Sequence, residues 1–442
     1  MPDLHPDLQQ QLESLRRRVA RIDRKYASTA PSPPPRPVDL VRRSGAFEFR
    51  KEKPERYFVH EWASGEVVEN EHGSHFQMER HYEAHRRHGS ADIGALAELP
   101  AVLLDAIGAG EIPPSTPDRW AFLDTETTGL AGGSGTYAFL IGVGRICSDG
   151  FRVRQFFMRE YSEEKSLLAG LTAHLAEFET LVTYNGKTYD QPLLETRYCM
   201  NRDKPPFARL PHFDLLHGAR RLWKLRFENC RLVHLERQIL GVEREGDLPG
   251  EMIPYVYFDY LRTKEAQRLV PIFHHNAIDI LTLACLTGIV PSVFRSANDC
   301  ASLERLGLRR GDEMVGIARW LLAAGQTEQG LTLLKRAIDL GLRDDLLFRT
   351  MWDVALLEKK LLRPHAALPV FTDLAACHNP FRAKALEELA KHYERTDRNH
   401  ALSLGFVLQA LQFASTDSLL RRRARLEKRL SKNLSARLFK PI

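Results

Sequence analysis

Residues 118–216 alternate hydrophobic and polar positions in short runs that are typical of β-strands. Three runs, ending at about residues 127, 143 and 158, are separated by glycine-containing turns, which predicts three consecutive antiparallel strands. Further along, the pattern predicts a helix at 163–178, a strand at 180–184, a helix from Asp190 to about Arg202 and a strand at 211–216. Antiparallel strands followed by alternating helices and strands predict an α/β fold with a mixed sheet flanked by helices.

The hydrophobic positions of residues 299–442 follow a helical period throughout. Three segments in this region share a turn followed by small residues, and they recur about every 35 residues: 325–331, 361–367 and 396–402. The spacing favours an all-α domain of about three degenerate tetratricopeptide-like repeats. An unrelated helical bundle is the alternative interpretation.

The sequence pattern before residue 118 predicts three segments. Residues 1–27 carry Leu, Val and Ile at heptad spacing, so a helix is expected that forms a short coiled coil or packs on its own domain. A proline-rich linker is expected at 28–44, and a mixed extension at 45–117. The predicted domains that follow are 118–298, with the sheet, and 299–442, with the helical repeats.

Two helices are expected within the extension. Five histidines between His72 and His88 are interpreted as polar residues of an amphipathic helix, because they lack the order and the carboxylate of a zinc motif. A second, apolar helix is predicted near 95–107.

Composition adds three expectations. The formal charge of +6 and the isoelectric point near 8.9 are compatible with an anionic partner. The six cysteines form no CxxC motif, which argues against a zinc module or an iron–sulfur site. No signal peptide or sufficiently long apolar run is apparent, so a cytoplasmic protein with no membrane partner is expected.

The candidate chemistry begins at the end of the first strand. Asp124 and Glu126 are one residue apart, so in a strand both side chains point to the same face. Adjacent carboxylates repel each other unless a cation lies between them, and oxygen ligands suit Mg²⁺ or Mn²⁺. Asp190 begins a helix after a strand, while Asp279 lies in an apolar helix, where burying its charge is costly without a neutralising partner. A metal shared with Asp124 would supply one.

Four motifs in this order resemble those of the DEDD superfamily of 3′→5′ exonucleases, and more closely the bacterial YprB-type branch of the ribonuclease-H-like fold. They are Leu123-Asp-Thr-Glu-Thr-Thr-Gly-Leu130, Tyr184-Asn-Gly-Lys-Thr-Tyr-Asp190, Phe213-Asp-Leu-Leu216 and His275-Asn-Ala-Ile-Asp279. The resemblance covers about 118–290 and implies a ribonuclease-H-like sheet, two divalent cations (Mg²⁺ or Mn²⁺) and hydrolysis of single-stranded or frayed 3′ ends of nucleic acid.

The resemblance also implies roles for particular residues. Asp124 would bridge both cations, with Glu126, Asp190 and Asp279 completing the ligand set. Residues expected to contact the substrate are Thr127, Thr128 and Leu130 at the terminal nucleotide, and Asn185 and Lys187 at the phosphate. Asp214 is either a fifth acid or a helix N-cap.

The general base is expected to be a histidine before Asp279. His274 precedes Asp279 by five residues, as in the histidine subclass of the superfamily, and His275 by four. On a continuous helix, residues four apart share a face, which favours His275.

The leading hypothesis is therefore a metal-dependent 3′→5′ exonuclease. The alternative is a non-catalytic nucleic-acid-binding protein whose repeats dock a protein partner. No motif distinguishes a DNA from an RNA substrate.

Overall fold

The computed structural model describes residue 59 and residues 63–108, 110–129, 135–297 and 299–438. The predicted heptad helix at 1–27, the linker at 28–44 and most of 45–62 lie outside the described residues. So do Leu130, a predicted substrate contact, and the adjoining residues 131–134.

The described chain divides into two compact units. The first consists of the described residues up to Leu215 together with Arg231–Gly288. The second consists of Leu216–Cys230 and the residues from Ile289 onward.

The first unit is built on a sheet. The strands among the described residues are β1 (Gly65–Asn70), β2 (Gly73–Glu83), β3 (Arg87–His88), β4 (Ala91–Asp92), β5 (Trp120–Thr127), β6 (Ala138–Cys147), β7 (Gly150–Phe157), β8 (Thr180–Thr183) and β9 (His212–Asp214). Seven of them form one sheet in the order β1-β2-β7-β6-β5-β8-β9, and β3 pairs with β4. Neighbours among β5, β6 and β7 are antiparallel, whereas β5, β8 and β9 are parallel. The predicted mixed sheet is confirmed.

Helices flank this sheet and make up the second unit. They are α1 (Asp105–Gly108), α2 (Glu164–Leu175), α3 (Asp190–Met200), α4 (Leu215–Trp223), α5 (Leu232–Leu235), α6 (Ile253–Thr263), α7 (Val270–Arg295), α8 (Cys300–Arg305), α9 (Gly311–Ala323), α10 (Thr327–Leu340), α11 (Asp344–Lys360), α12 (Pro364–Ala376), α13 (Arg382–Arg395), α14 (His400–Leu411) and α15 (Asp417–Leu438).

The histidine-rich segment forms strands, and the predicted amphipathic helix is wrong. A turn with Gly73 at φ +117° joins β1 to β2, and β2 pairs with β7 along most of its length. The buried Phe76 and Met78 are two residues apart, which is the period of a strand and not of a helix. The apolar helix predicted near 95–107 is also wrong: a 3₁₀ turn ends at Glu98, before Pro100, and α1 begins only at Asp105.

Helix α7 shows that the expectation of no apolar run long enough to cross a membrane is wrong. The helical stretch Ala266–Arg295 contains an 18-residue window of mean hydropathy 1.9, so one helix of the described chain is long and apolar enough to cross a membrane. However, 72% of that window is buried within the fold, as in the core helix of a soluble protein. The absence of a membrane partner remains a prediction.

The second unit is helical throughout its described residues, as predicted. Three pairs of consecutive helices pack against each other: α9 with α10, α11 with α12, and α13 with α14. The three predicted repeat segments coincide with the turns inside these pairs. Assignment to the tetratricopeptide class remains a prediction.

Candidate active site

The central strand β5 presents two acids to one side of the sheet. Leu123 and Thr125 are buried, while the alternating Asp124 and Glu126 are partly accessible, which is the strand periodicity that the sequence predicts. Asp124 lies opposite Gly142 of β6.

The electrostatics of these acids show that four carboxylates share one neighbourhood. Burial, followed by the charges of Asp279 and Asp190, raises the pKa of Asp124 well above its ordinary value. Burial, followed by the charges of Asp124, Asp279 and Asp190, does the same to the pKa of Glu126. The fold therefore places the four acids that the sequence singles out near enough for their charges to interact, although up to 155 residues separate them in the sequence.

Asp190 enters from the first turn of α3. The hydroxyl of Thr125 donates a hydrogen bond of 2.5 Å to Asp190 Oδ1. Burial nevertheless raises the pKa of Asp190 to about 6. Thr125 thus points away from the Asp124 face and holds the third acid beside β5.

Helix α7 contributes an amide that sequence reasoning missed. Asn276 Nδ2 donates to Asp124 Oδ2 at 2.9 Å, and Asn276 Oδ1 accepts from Gln155 Nε2 at 2.8 Å. Both amide side chains are fully buried. Because Gln155 also donates to the Phe273 carbonyl, the relay fixes which way the Asn276 amide faces and so orients Asp124. The sequence signal that could have identified Asn276 is its position inside the His275–Asp279 motif.

Two strand glycines let α7 approach the sheet closely. A Cβ atom at Gly142 would overlap with Asn276 Oδ1 and Ile280 Cδ1. A Cβ atom at Gly144 would overlap with Ile280 Cγ2 and with the Phe151 ring. Because neither glycine has a side chain, α7 lies close enough to the sheet for Asn276 to be within hydrogen-bond distance of Asp124.

The structure separates the two candidate histidines. Because α7 is continuous from Val270, His275 and Asp279 share a face, and His275 Nε2 lies 3.5 Å from Asp279 Oδ2. His274 is exposed, and its Nδ1 is 2.9 Å from Arg80 Nη1. The geometry favours His275.

Asp247 holds His275 from the other side. His275 Nδ1 is 2.9 Å from both carboxylate oxygens of Asp247. Burial lowers the pKa of His275, but the charge of Asp279 and the hydrogen bond to Asp247 outweigh burial and raise it. Because an ionised carboxylate only accepts hydrogen bonds, Nδ1 carries a proton and Nε2 faces Asp279.

Arg244 links the acids beneath the site. Its guanidinium donates to Asp279 Oδ1 at 2.5 Å, to Glu236 Oε2 at 2.6 Å and to Asp247 Oδ2 at 3.2 Å. The Arg244 side chain is 8% exposed and that of Glu236 is 1% exposed. Glu236 also accepts hydrogen bonds from Thr282, and His88 lies within 3.1 Å of it. Sequence reasoning missed Arg244 and Asp247.

The predicted substrate residues lie on two turns. Backbone N–H groups of Asn185 and Lys187 donate to the Asp214 carboxylate at 2.9 and 3.2 Å. Asp214 therefore caps the turn before α3, where Asn185 adopts a left-handed φ of +69°. This turn leaves the Lys187 side chain exposed.

After β5, the threonine hydroxyls are bound within the protein. Thr127 Oγ1 donates to the Gly129 carbonyl at 2.9 Å, and Thr128 Oγ1 accepts from the Tyr137 N–H at 2.9 Å. Both hydroxyls hold the turn in shape.

Comparisons with known proteins agree with this arrangement. A family model described as the RNase_H superfamily matches residues 121–290. The chain is also 34% identical over 318 residues to a protein of Bacillus subtilis (strain 168) named "Uncharacterized protein YprB", and the match covers 70% of this chain and 75% of that protein. The chain belongs to the ribonuclease H superfamily. Membership, together with the mixed sheet, indicates a nuclease that acts on nucleic acid.

Members of the ribonuclease H superfamily usually use divalent metal ions, and the donor set here suits them. Asp124 and Glu126 carry raised pKa values because burial and neighbouring acids disfavour their charges, which a cation would offset. Within the part of the chain that is described, however, no three His, Cys, Asp or Glu side chains converge as a metal-binding group. Arg244 engages Asp279 and Thr125 engages Asp190 instead. Oxygen donors favour Mg²⁺ or Mn²⁺ over zinc.

Proposed function

We propose that the protein is a metal-dependent 3′→5′ exonuclease. The observation that carries the proposal is electrostatic: β5, α3 and α7 place Asp124, Glu126, Asp190 and Asp279 near enough that the charges of neighbouring acids raise the pKa values of Asp124 and Glu126. Burying like charges together is costly, and it is the arrangement that a two-metal phosphodiester hydrolase needs.

The four acids, Asp124, Glu126, Asp190 and Asp279, would hold two divalent cations. When bound, the cations would supply charge neutralisation at the scissile phosphate and lower the pKa of an attacking water. The chain's own contribution is orientation: Asn276 and Gln155 hold Asp124, and Arg244 holds Asp279.

His275 is proposed to accept the proton of the attacking water at Nε2. Asp247 fixes the ring through Nδ1, which leaves Nε2 directed toward Asp279. The charge of Asp279 favours the imidazolium form, so neutralising that charge would favour the neutral imidazole that a general base requires.

Substrate contacts are proposed at both turns. Lys187, exposed on a turn capped by Asp214, would bind a phosphate, with Asn185 beside it. Because the hydroxyls of Thr127 and Thr128 are already bound, their contacts with the terminal nucleotide would use backbone and apolar edges. Leu130 completes the proposed set.

The test is degradation of single-stranded DNA and RNA labelled at the 3′ or the 5′ end, with Mg²⁺, Mn²⁺ or EDTA. We expect early, metal-dependent release of the 3′ label. The polymer that is degraded faster identifies DNA or RNA as the substrate. Internal cutting would contradict the exonuclease assignment. Binding without any cleavage would favour the alternative, a non-catalytic nucleic-acid-binding protein whose repeats dock a protein partner.

Substituting the two histidines separately tests the choice of base. His275→Asn is expected to lower kcat by about 10²–10⁴-fold with little change in KM, because positioned proton transfer contributes about that much. His274→Asn, one residue away and exposed, is the matched control and should change kcat only a few-fold. A larger loss for His274→Asn, with both variants folded by circular dichroism, would reverse the assignment.

A further inference from the structure

The second unit contains a cavity lined mainly by basic side chains. It has a volume of about 510 Å³ and is lined by Glu394, Arg395, Arg398, His400, Arg425 and Arg429. Arg395 ends α13, Arg398 lies in the following turn, and His400 begins α14. Arg425 and Arg429 are four residues apart on α15 and so share one face of that helix.

One buried acid anchors several arginines here. Glu394 is 5% exposed and is bound by Arg422, which is also buried. Arg425 Nε lies 2.8 Å from Glu394 Oε1, and Arg429 Nη1 lies 3.6 Å from the same atom. Burial raises the pKa of Glu394, but the hydrogen bonds and charges of Arg425 and Arg422 outweigh burial and lower it, so the carboxylate stays ionised at neutral pH.

The positive charge exceeds what Glu394 neutralises. Three guanidinium groups converge on one carboxylate, and Arg395 and Arg398 add two more charges at the cavity. Neither Arg395 nor Arg398 has an ion-pair partner among the residues that the structure describes. Because like charges held together repel, the cluster is stabilised when an anion enters.

One of the residues that line the cavity, His400, also carries an unsatisfied polar atom. His400 Nδ1 is buried and has no hydrogen-bond partner in the described chain, and the same holds for Nε of Arg422, the arginine that binds Glu394. A buried polar atom without a partner costs free energy, which a ligand with several hydrogen-bonding oxygens would recover.

We infer that this cavity binds the phosphodiester backbone of a nucleic-acid strand and forms a second nucleic-acid site within the helical unit. Forked guanidinium groups match phosphate oxygens in geometry as well as in charge. The choice of a nucleic-acid strand over an acidic peptide rests on the proposed function. The remaining charges of α15 are less suited to this role, because Arg421 and Arg423 are paired with Asp417 and Glu427.

The test measures binding of the full chain to a fluorescent single strand of about 30 nucleotides by anisotropy, in EDTA so that nothing is hydrolysed. The variant is Arg395→Gln/Arg398→Gln. The matched control is Arg319→Gln/Lys360→Gln, which removes two exposed charges of the same unit outside the cavity; these too lack an ion-pair partner in the described chain. Unfolding midpoints verify that both variants fold.

Loss of two phosphate contacts should weaken binding about 25-fold at about 0.1 M salt and reduce the slope of log K against log salt by about 1.4. The control should retain the wild-type slope. Equal affinities and slopes for the two double variants would overturn the inference. The inference would also be overturned if Arg395→Gln/Arg398→Gln weakened binding of polyglutamate but did not weaken binding of the nucleic-acid strand.

The outcome is separable from that of the proposed exonuclease. Metal-dependent degradation by the wild type, with no effect of Arg395 and Arg398 on binding, would leave the exonuclease standing and remove the second site. If the strand is bound in a way that depends on Arg395 and Arg398 but is not degraded under any metal condition, the second site would stand and the exonuclease proposal would fail.

Discussion

Asp124→Asn is expected to abolish metal-dependent degradation of nucleic acid while leaving the folded protein at least as stable as the wild type. The loss follows because Asp124 is a proposed metal ligand, and removing metal stabilisation of the reaction costs several kcal/mol, or at least about a thousandfold in rate. The asparagine keeps the size of the side chain and a carbonyl oxygen that accepts the hydrogen bond from Asn276.

Asp124→Asn is expected to keep or raise the stability of the metal-free protein, although it abolishes activity. Burial and the charges of Asp279 and Asp190 raise the pKa of Asp124, so ionising this carboxyl group is less favourable in the metal-free fold than in the unfolded chain, which lowers the free energy of unfolding at neutral pH. Urea unfolding in EDTA should therefore show an equal or higher midpoint for Asp124→Asn. Asp118→Asn, an exposed acid just before β5, is the control for both measurements. Retained metal-dependent cleavage by Asp124→Asn would refute the assigned site.

Arg244→Met is expected to lower the free energy of unfolding by about 3–5 kcal/mol, because removing one partner of a buried ion pair leaves uncompensated charge. Here three carboxylates lose the same guanidinium: Glu236, Asp247 and Asp279. The methionine fills a similar volume, so the loss reports charge more than packing. Urea unfolding in EDTA measures it.

The matched control is Arg152→Met in the same unit. Arg152 pairs with Glu79 and Asp149, but its side chain is 39% exposed, so the expected cost is about 0–1 kcal/mol. Comparable costs for the two substitutions would show that the Arg244 network does not stabilise the fold.

The cost of Arg244→Met should also depend on pH. Burial raises the pKa of Glu236, but hydrogen bonds from His88 and the charge of Arg244 outweigh it and lower the pKa below 4.5. This stabilisation is present above the unfolded pKa and is lost as the pH falls through the folded value. The difference between wild type and variant should therefore shrink below about pH 4.5.

The core of the site was predictable because strand and helix periods are local properties. Two acids one residue apart in β5 had to share a face, and four-residue spacing in α7 had to place His275 with Asp279. The same alternation predicted the antiparallel strands β5, β6 and β7, but not the addition of β1 and β2 to the sheet. Leu130, and the roles proposed for Asn185 and Lys187, remain predictions.

The interactions around the acids were less accessible. Arg244 and Asp247 lie between the π-helical turn Glu236–Leu240 and the 3₁₀ turn Gly250–Met252, in a segment without hydrophobic periodicity. Their partners on α7 are distant in sequence: Arg244 binds Asp279, 35 residues away, and Asp247 binds His275, 28 residues away. The segment from His72 to His88 was also misassigned to a helix, because the spacing of its histidines does not distinguish a helix from a hairpin. Only pairing of β2 with β7 decides between the two.

The two glycines of β6 impose different evolutionary constraints. At Gly144, the neighbours that a methyl group would meet are hydrocarbon atoms of Ile280 and Phe151, so a smaller residue at 280 can compensate for an enlargement. At Gly142, one neighbour is the Asn276 oxygen that Gln155 holds, and Asn276 in turn holds Asp124. Gly144 can therefore co-vary with a partner across the helix–sheet interface, whereas Gly142 is tied to the orientation of Asp124, a proposed metal ligand, without bearing any reactive group.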